Sequence, residues 1–192
     1  MAEQVKKPKI NVREIIGIIL IFLLIFAALQ FTLQSFRVNG ISMETSFHNG
    51  QYILVEKLRY HFSSPGRGQA IVFDSPMPPH ERLIKRVIGL PGETVEIKKG
   101  YIYINGVMLE ETPEFAAIPY ADDYSVTIPP DHYWVIGDNR ANSSGSHVFG
   151  PVPRENILGR VWLCYWPPSQ WGLSPHYSAN IGNVVTASTS VL

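Results

Sequence analysis

"ERLIKRVIGLPGETVEIKKGYIYING", residues 81–106, decides the fold. Three short apolar runs, 83–90, 94–99 and 101–106, follow one another with only turn residues between them. Runs of this length, rich in Ile, Val and Tyr, form strands. The Lys-Lys-Gly at 98–100 predicts one tight hairpin and Asn105–Gly106 a second. Moving outward, "QYILVEKL" (51–58), "QAIVF" (69–73), "YWVIGD" (133–138) and "ILGRVWLCYW" (157–166) read as further strands. Proline- and glycine-rich loops separate them: "SSPGRG" (63–68), "SPMPP" (75–79) and "IPPD" (128–131). Short strands without helical patterns between them predict a mainly β fold, an antiparallel sandwich or barrel-like domain. The roughly 130 residues from Val38 to Pro168 are enough for one core.

The opening stretch also poses a chemical question, because Lys85 and Arg86 stand side by side inside an apolar strand. Successive strand residues point to opposite faces, so Leu83, Lys85 and Val87 share one face and Ile84, Arg86 and Ile88 the other. A buried charge is costly unless it is paired or neutralised. An edge strand would remove the problem, since a lysine there reaches water and blunts edge pairing. A desolvated lysine is the alternative. Burial lowers its pKa, and the neutral amine can then accept a proton.

Several function classes drop out on composition. The 192-residue chain has 16 Lys and Arg against 16 Asp and Glu, and no basic run interleaved with aromatics, so nucleic acid is not an expected partner. Cys164 is the single cysteine, which excludes an internal disulfide and a cysteine zinc site. Histidines 48, 61, 80, 132, 147 and 176 are scattered, with no pair at metal-ligand spacing, and no metal or cofactor is expected. The chain has no G-x-S-x-G elbow, no H-E-x-x-H and no phosphate-binding glycine loop.

"IIGIILIFLLIFAALQFTLQSF", residues 15–36, is uncharged throughout. As a helix it would extend about 33 Å, enough to cross a hydrocarbon core. Lys6, Lys7, Lys9 and Arg13 precede it and only Arg37 follows closely. This asymmetry puts residues 1–14 in the cytoplasm and everything after the span outside. The run is longer than a signal peptide's, and no A-x-A cleavage site follows, so a retained anchor in the cell membrane is expected. A body over 37–168 follows. The tail, 169–192, is rich in Ser, Asn, Gly and Thr and is expected to dock loosely or lack regular structure.

What remains for catalysis is serine with lysine. "NGISMETSFHNGQYILVEK" (39–57) sets Ser42 between a glycine turn and a strand, close to the predicted membrane surface. An amine from Lys85 could deprotonate that hydroxyl at hydrogen-bond distance. Arg86 cannot serve and should face solvent or pair with a carboxylate.

Together these residues resemble the type I signal peptidases, membrane-anchored serine proteases with a Ser/Lys dyad. The similarity runs in order through the apolar anchor, "GISMETSFHNGQYILVEK", "LIKRVIGLPGETVEI", "YIYINGVMLEE", "YWVIGDNRANSSGSHVFGPVP" and "ILGRVWLCYWP". The resemblance implies that Ser42 is the nucleophile and Lys85 the general base. It implies that Ser143 orients the lysine amine and that Asp138 and Arg140 brace the site. Gly40, Ile41 and Met43 fall at the substrate cleft. Gly40 stands where some members carry a serine of the oxyanion hole, so that hole would rest on the Ser42 N–H. Five positions depart from the family pattern: Thr45 replaces a proline, Ser46 a threonine, Phe47 a leucine, Gly145 an aspartate and His147 an arginine, so a salt bridge behind the lysine is expected to be missing.

The implied activity is removal of signal peptides from exported precursors by a monomer held in membrane lipid. The precursor would bind extended alongside a cleft strand, with small pockets selecting small residues. The alternative, motivated by those departures, is an impaired relative that binds exported segments without cutting them. A self-cleaving repressor of the Ser/Lys type would want a DNA-binding domain where this chain has an apolar span.

Overall fold

The computed structural model describes residues 11–111, 115, 118, 119, 123–175, 177 and 179–181. One long helix, α1 (Val12–Thr32), stands apart from the body with none of its residues buried. Its length and apolar surface suit a membrane crossing. Thirteen strands follow: β1 (Leu33–Arg37), β2 (Tyr52–Glu56), β3 (Ala70–Asp74), β4 (Arg82–Gly89), β5 (Thr94–Lys98), β6 (Tyr101–Ile104), β7 (Val107–Glu111), β8 (Tyr124–Thr127), β9 (His132–Ile136), β10 (Val152–Pro153), β11 (Ile157–Trp166), β12 (Gly172–Leu173) and β13 (Ala179–Ile181). Two single-turn α-helices, Arg59–Phe62 and Ser146–Phe149, and three short 3-10 turns interrupt them.

The strands form two sheets, and every pairing among the described residues is antiparallel. The larger runs β1-β2-β11-β3-β4-β9-β10, with β12 added to β11; the smaller runs β13-β7-β6-β5-β8. The expected mainly β fold holds. Both predicted hairpins form. Lys99 and Gly100 join β5 to β6 and Asn105 and Gly106 join β6 to β7, all four at positive φ. That is the backbone a two-residue hairpin turn requires.

Strand β4 is central, flanked by β3 and β9, which rules out the edge-strand answer to the Lys85–Arg86 question. Its exposure falls along its length, from Arg82 in solvent to residues 85–89, all buried. Ile88 packs with Trp134 and the inner residues of the smaller sheet. Val87 packs instead with Ile71, Phe73 and Val135. Adjacent residues thus serve different cores, as the two-residue period demands.

Two boundaries differ from the sequence reading. The helix stops at Thr32, so Leu33–Phe36, counted with the anchor, are extended and pair in register with β2. A ladder with Ile53–Glu56 satisfies their backbone groups in place of further helical turns. The tail is also more regular than its composition indicates. Residues 172–173 pair with β11, and residues 179–181 extend the smaller sheet beyond β7. Backbone pairing needs no apolar side chains, so a Ser/Asn-rich segment can make it.

Candidate active site

The loop 39–50 carries Ser42 between β1 and β2. Gly40, at φ 92°, lets the chain reverse, and its N–H is held by Asn49 Oδ1 at 3.0 Å. Met43 and Phe47 are both buried beneath the loop, packed with Val38, Ile53 and Val72. They hold it down, so Met43 anchors the Ser42 loop from below. Ile41 is half exposed at the top. Thr45 has φ 93°, a left-handed backbone unusual for a β-branched residue.

Lys85 Nζ lies 2.6 Å from Ser42 Oγ. Lys85 is only 3% exposed and has no ion pair among the described residues. Burial therefore dominates its titration, lowering the pKa to about 8, with the Asp138 carboxylate opposing. A substantial share of neutral amine is available near neutral to mildly alkaline pH.

Its neighbour Arg86 is handled differently. The guanidinium is fully buried and binds Asp138 through two contacts, Nε to Oδ1 at 2.7 Å and Nη2 to Oδ2 at 2.6 Å. It also donates to the Gly68 carbonyl at 2.7 Å and to Ser46 Oγ at 3.0 Å. Of the two expected solutions for Arg86, the structure takes the carboxylate. Asp138 acts in that bridge. Arg140 is also buried and binds Glu111 with both terminal nitrogens, while its Nε donates to the Gly137 carbonyl at 3.0 Å.

The Gly137–Asn139 segment packs directly against the Ser42 backbone. Asn139 N donates to the Ser42 carbonyl at 3.1 Å, and its side-chain amide donates to the Ile41 carbonyl at 3.1 Å. A Cβ at Gly137 would collide with both the Ser42 carbonyl and the Ser143 hydroxyl, so this position needs glycine. Ser143 lies beside the site, but its buried Oγ has no hydrogen-bond partner among the described residues, Lys85 included.

The two departures near this end also have a physical setting. A Cβ at Gly145 would come within 2.7 Å of the Val135 carbonyl, so this backbone has no room for a carboxylate there. His147 is half-buried beside Trp134. Burial, with Arg140 and Lys85 nearby, lowers its pKa and keeps it neutral. The bracing ion pairs are instead Arg86–Asp138 and Arg140–Glu111. Among the residues that build this site, Glu111, Gly137, Asn139 and Tyr177 were not singled out from the sequence. Gly137, Asn139 and Glu111 lay inside stretches that carry the resemblance, and Tyr177 lay outside all of them.

A cavity of about 260 Å³ opens at Ser42, lined by Phe36–Asn39, Ile53, Val72 and Arg82–Ile84. Its two walls are strand edges. Among the described residues, β1 pairs only with β2, and β4 pairs with β9 only from Arg86 onward. The backbones of 82–85 and of β1 therefore face the cavity without a ladder partner on that side.

The profile of the family described as "Signal peptidase, peptidase S26" matches residues 12–166. The chain is 41% identical over 138 residues to a probable signal peptidase I-2 of Synechocystis, covering 69% of this chain and 62% of that one. It is 42% identical over 142 residues to a signal peptidase I of Leptolyngbya laminosa, covering 68% of each. It is also similar to a crystal structure of a signal peptidase I from Enterococcus faecalis, at 35% identity, covering 51% of this chain and 97% of that one, with a TM-score of 0.45.

Proposed function

The chain belongs to the signal peptidase family, peptidase S26, and on that premise we propose that it is a membrane-anchored serine endopeptidase that removes signal peptides from exported precursors. The observation that carries this reading is the 2.6 Å contact between Ser42 Oγ and a buried Lys85 amine.

The steps follow from the geometry. A precursor segment enters the cavity extended and completes ladders with the free edges of β1 and residues 82–85. Alternate side chains of an extended peptide point the same way, so the first and third residues before the cut both meet the apolar floor. That floor, with Val38, Ile53, Val72 and Ile84, closes a cavity of about 260 Å³, which suits small side chains. Ser42 Oγ attacks the scissile carbonyl carbon as Lys85 Nζ takes its proton. The Ser42 N–H, which makes no hydrogen bond among the described residues, faces the developing oxyanion. The Lys85 ammonium then protonates the departing amine, leaving an ester on Ser42. Water, deprotonated by Lys85, hydrolyses that ester and restores both groups.

The apolar helix α1 sits in the membrane, with the flanking cations holding the N-terminus in the cytoplasm and the β body outside. The enzyme works as a monomer. None of the departures from the family pattern breaks the Ser42–Lys85 contact, so the non-cleaving alternative gains no support. The test is incubation of detergent-solubilised protein with a signal-bearing precursor, with product masses measured. Cleavage after a small residue is expected for the native chain and none for Ser42→Ala. Equal cleavage by the Ser42→Ala variant would remove the serine mechanism.

A further inference from the structure

The C-terminal segment brings one aromatic residue into the interior. Tyr177 is buried, and β13, two residues later, fixes it by pairing Ala179 with Glu111 and Ile181 with Leu109. Its ring centroid lies 5.1 Å from the Arg86 guanidinium and stacks edge-on against Phe115 at 5.0 Å. Its hydroxyl donates to Glu111, the carboxylate that also receives Arg140. Burial and the neighbouring Glu111 charge push its ionisation far above the ordinary phenol range, so it remains a donor at any working pH.

We propose that Tyr177 is a positioning residue for Ser42, acting through the two buried arginines. This rests on Ser42 being the nucleophile. Tyr177 makes no hydrogen bond to Ser42 or Lys85. It closes over Arg86, which ties Asp138 to Ser46 and so joins the 137–139 segment to the far end of the nucleophile turn. Through Glu111 it also orients Arg140, whose Nε fixes the Gly137 carbonyl. Both routes end on the segment whose Asn139 holds the Ser42 and Ile41 carbonyls. Cation–aromatic contacts strengthen when shielded from water, and this buried guanidinium meets the touching rings of Tyr177 and Phe115, at 5.1 and 5.8 Å from their centroids. Small displacements of a nucleophile cost rate without costing binding. The cavity walls, built from β1 and residues 82–84, lie outside this network.

The experiment uses the full chain in detergent, with steady-state cleavage of one precursor across pH and a thermal melt for each variant. Tyr177→Leu is expected to lower kcat about tenfold or more, with KM within about twofold of the native value, at temperatures well below its melt. Tyr177→Phe keeps the ring over Arg86 and is expected to recover most of that loss. The midpoint of the rise in activity with pH should not move in either variant, because Lys85 stays buried and Asp138 stays in place. Native kcat in Tyr177→Leu with only a lowered melting temperature would overturn the proposal, since that is packing alone. So would a rise in KM at constant kcat. Activity surviving in Ser42→Ala would instead sink the underlying mechanism, and it is measured separately.

Discussion

Lys85 and Arg86 are adjacent cations on one central strand, both buried, and their surroundings differ in kind. Arg86 sits in a closed polar cage of Asp138, Gly68 and Ser46, covered by two aromatic rings. Lys85 has a single hydroxyl and no carboxylate of its own. The cage keeps a charge in place. The bare apolar setting discourages one. On the proposed mechanism, one strand carries a structural cation and a base one residue apart: the difference lies in what each side chain meets.

The largest expected effect tests the Lys85 half. Cleavage should rise with pH with a midpoint at about 8, where burial has lowered the amine from its ordinary 10.5. Lys85→Arg puts a permanently protonated group at the site and should reduce cleavage between about a hundredfold and ten thousandfold. A pH–rate profile of both proteins checks this. Substantial cleavage by Lys85→Arg would mean that the lysine is not the proton acceptor and that the two cations are alike after all.

The next pair of variants sets the two halves against each other as stability changes of opposite sign. Arg86→Met strands the Asp138 carboxylate in the interior and should cost about 3 to 5 kcal/mol. Adding Asp138→Leu should recover much of that, because an apolar pair of similar size is close to neutral. Lys85→Met should instead stabilise the fold, by about 1 to 3 kcal/mol at pH 7. The pH dependence has a definite direction. Between about pH 8 and 10.5 the unfolded chain holds a proton on Lys85 that the folded chain has released. Native stability therefore rises across that window. The advantage of Lys85→Met is full below pH 8 and gone above 10.5. Denaturant melts at pH 7 and pH 10.5 measure it, and a constant difference at both would show that Lys85 is not desolvated.

How much of this was legible in the sequence depends on whether a residue's partner lay nearby in the chain. Strands 82–89, 94–98 and 101–104 and both hairpins came from local period and turn chemistry. Ser42 and Lys85 came from motif order. Asp138 was expected near the site, but its specific role of holding Arg86 needed the fold, because the two are 52 residues apart. Glu111 and Tyr177 were invisible for the same reason: one ends an ordinary strand, and the other lies in a polar tail read as loosely docked. The end of α1 was misread because Leu33–Phe36 are as apolar as a span requires, and only a long-range ladder with β2 decides against helix. Ser143 had the motif's position, yet its hydroxyl makes no hydrogen bond to Lys85.

The smallest expected effect concerns the loop that both cations touch. Lys85 reaches Ser42 at one end of the turn and Arg86 reaches Ser46 near the other, with Thr45 between. From the family pattern, Thr45 looks like a lost proline whose restoration should stiffen the loop. The structure reverses that expectation. Thr45 has φ 93°, whereas proline is confined near −65°. Thr45→Pro should therefore destabilise the fold, on the order of 3 kcal/mol, and lower cleavage by moving Ser42. Thr45→Gly removes a β-branched side chain from a left-handed backbone, a strain of about 1 to 3 kcal/mol. Glycine's extra freedom in the unfolded chain takes back about 0.5 to 1 kcal/mol. The net is a gain of roughly 1 kcal/mol with cleavage retained, because the turn keeps its shape. Thermal melts of the two variants decide the sign. Stabilisation by proline would show that the turn adopts a negative φ at Thr45 in solution. The two cations would then grip a loop of different shape from the one that places Ser42 Oγ against the Lys85 amine.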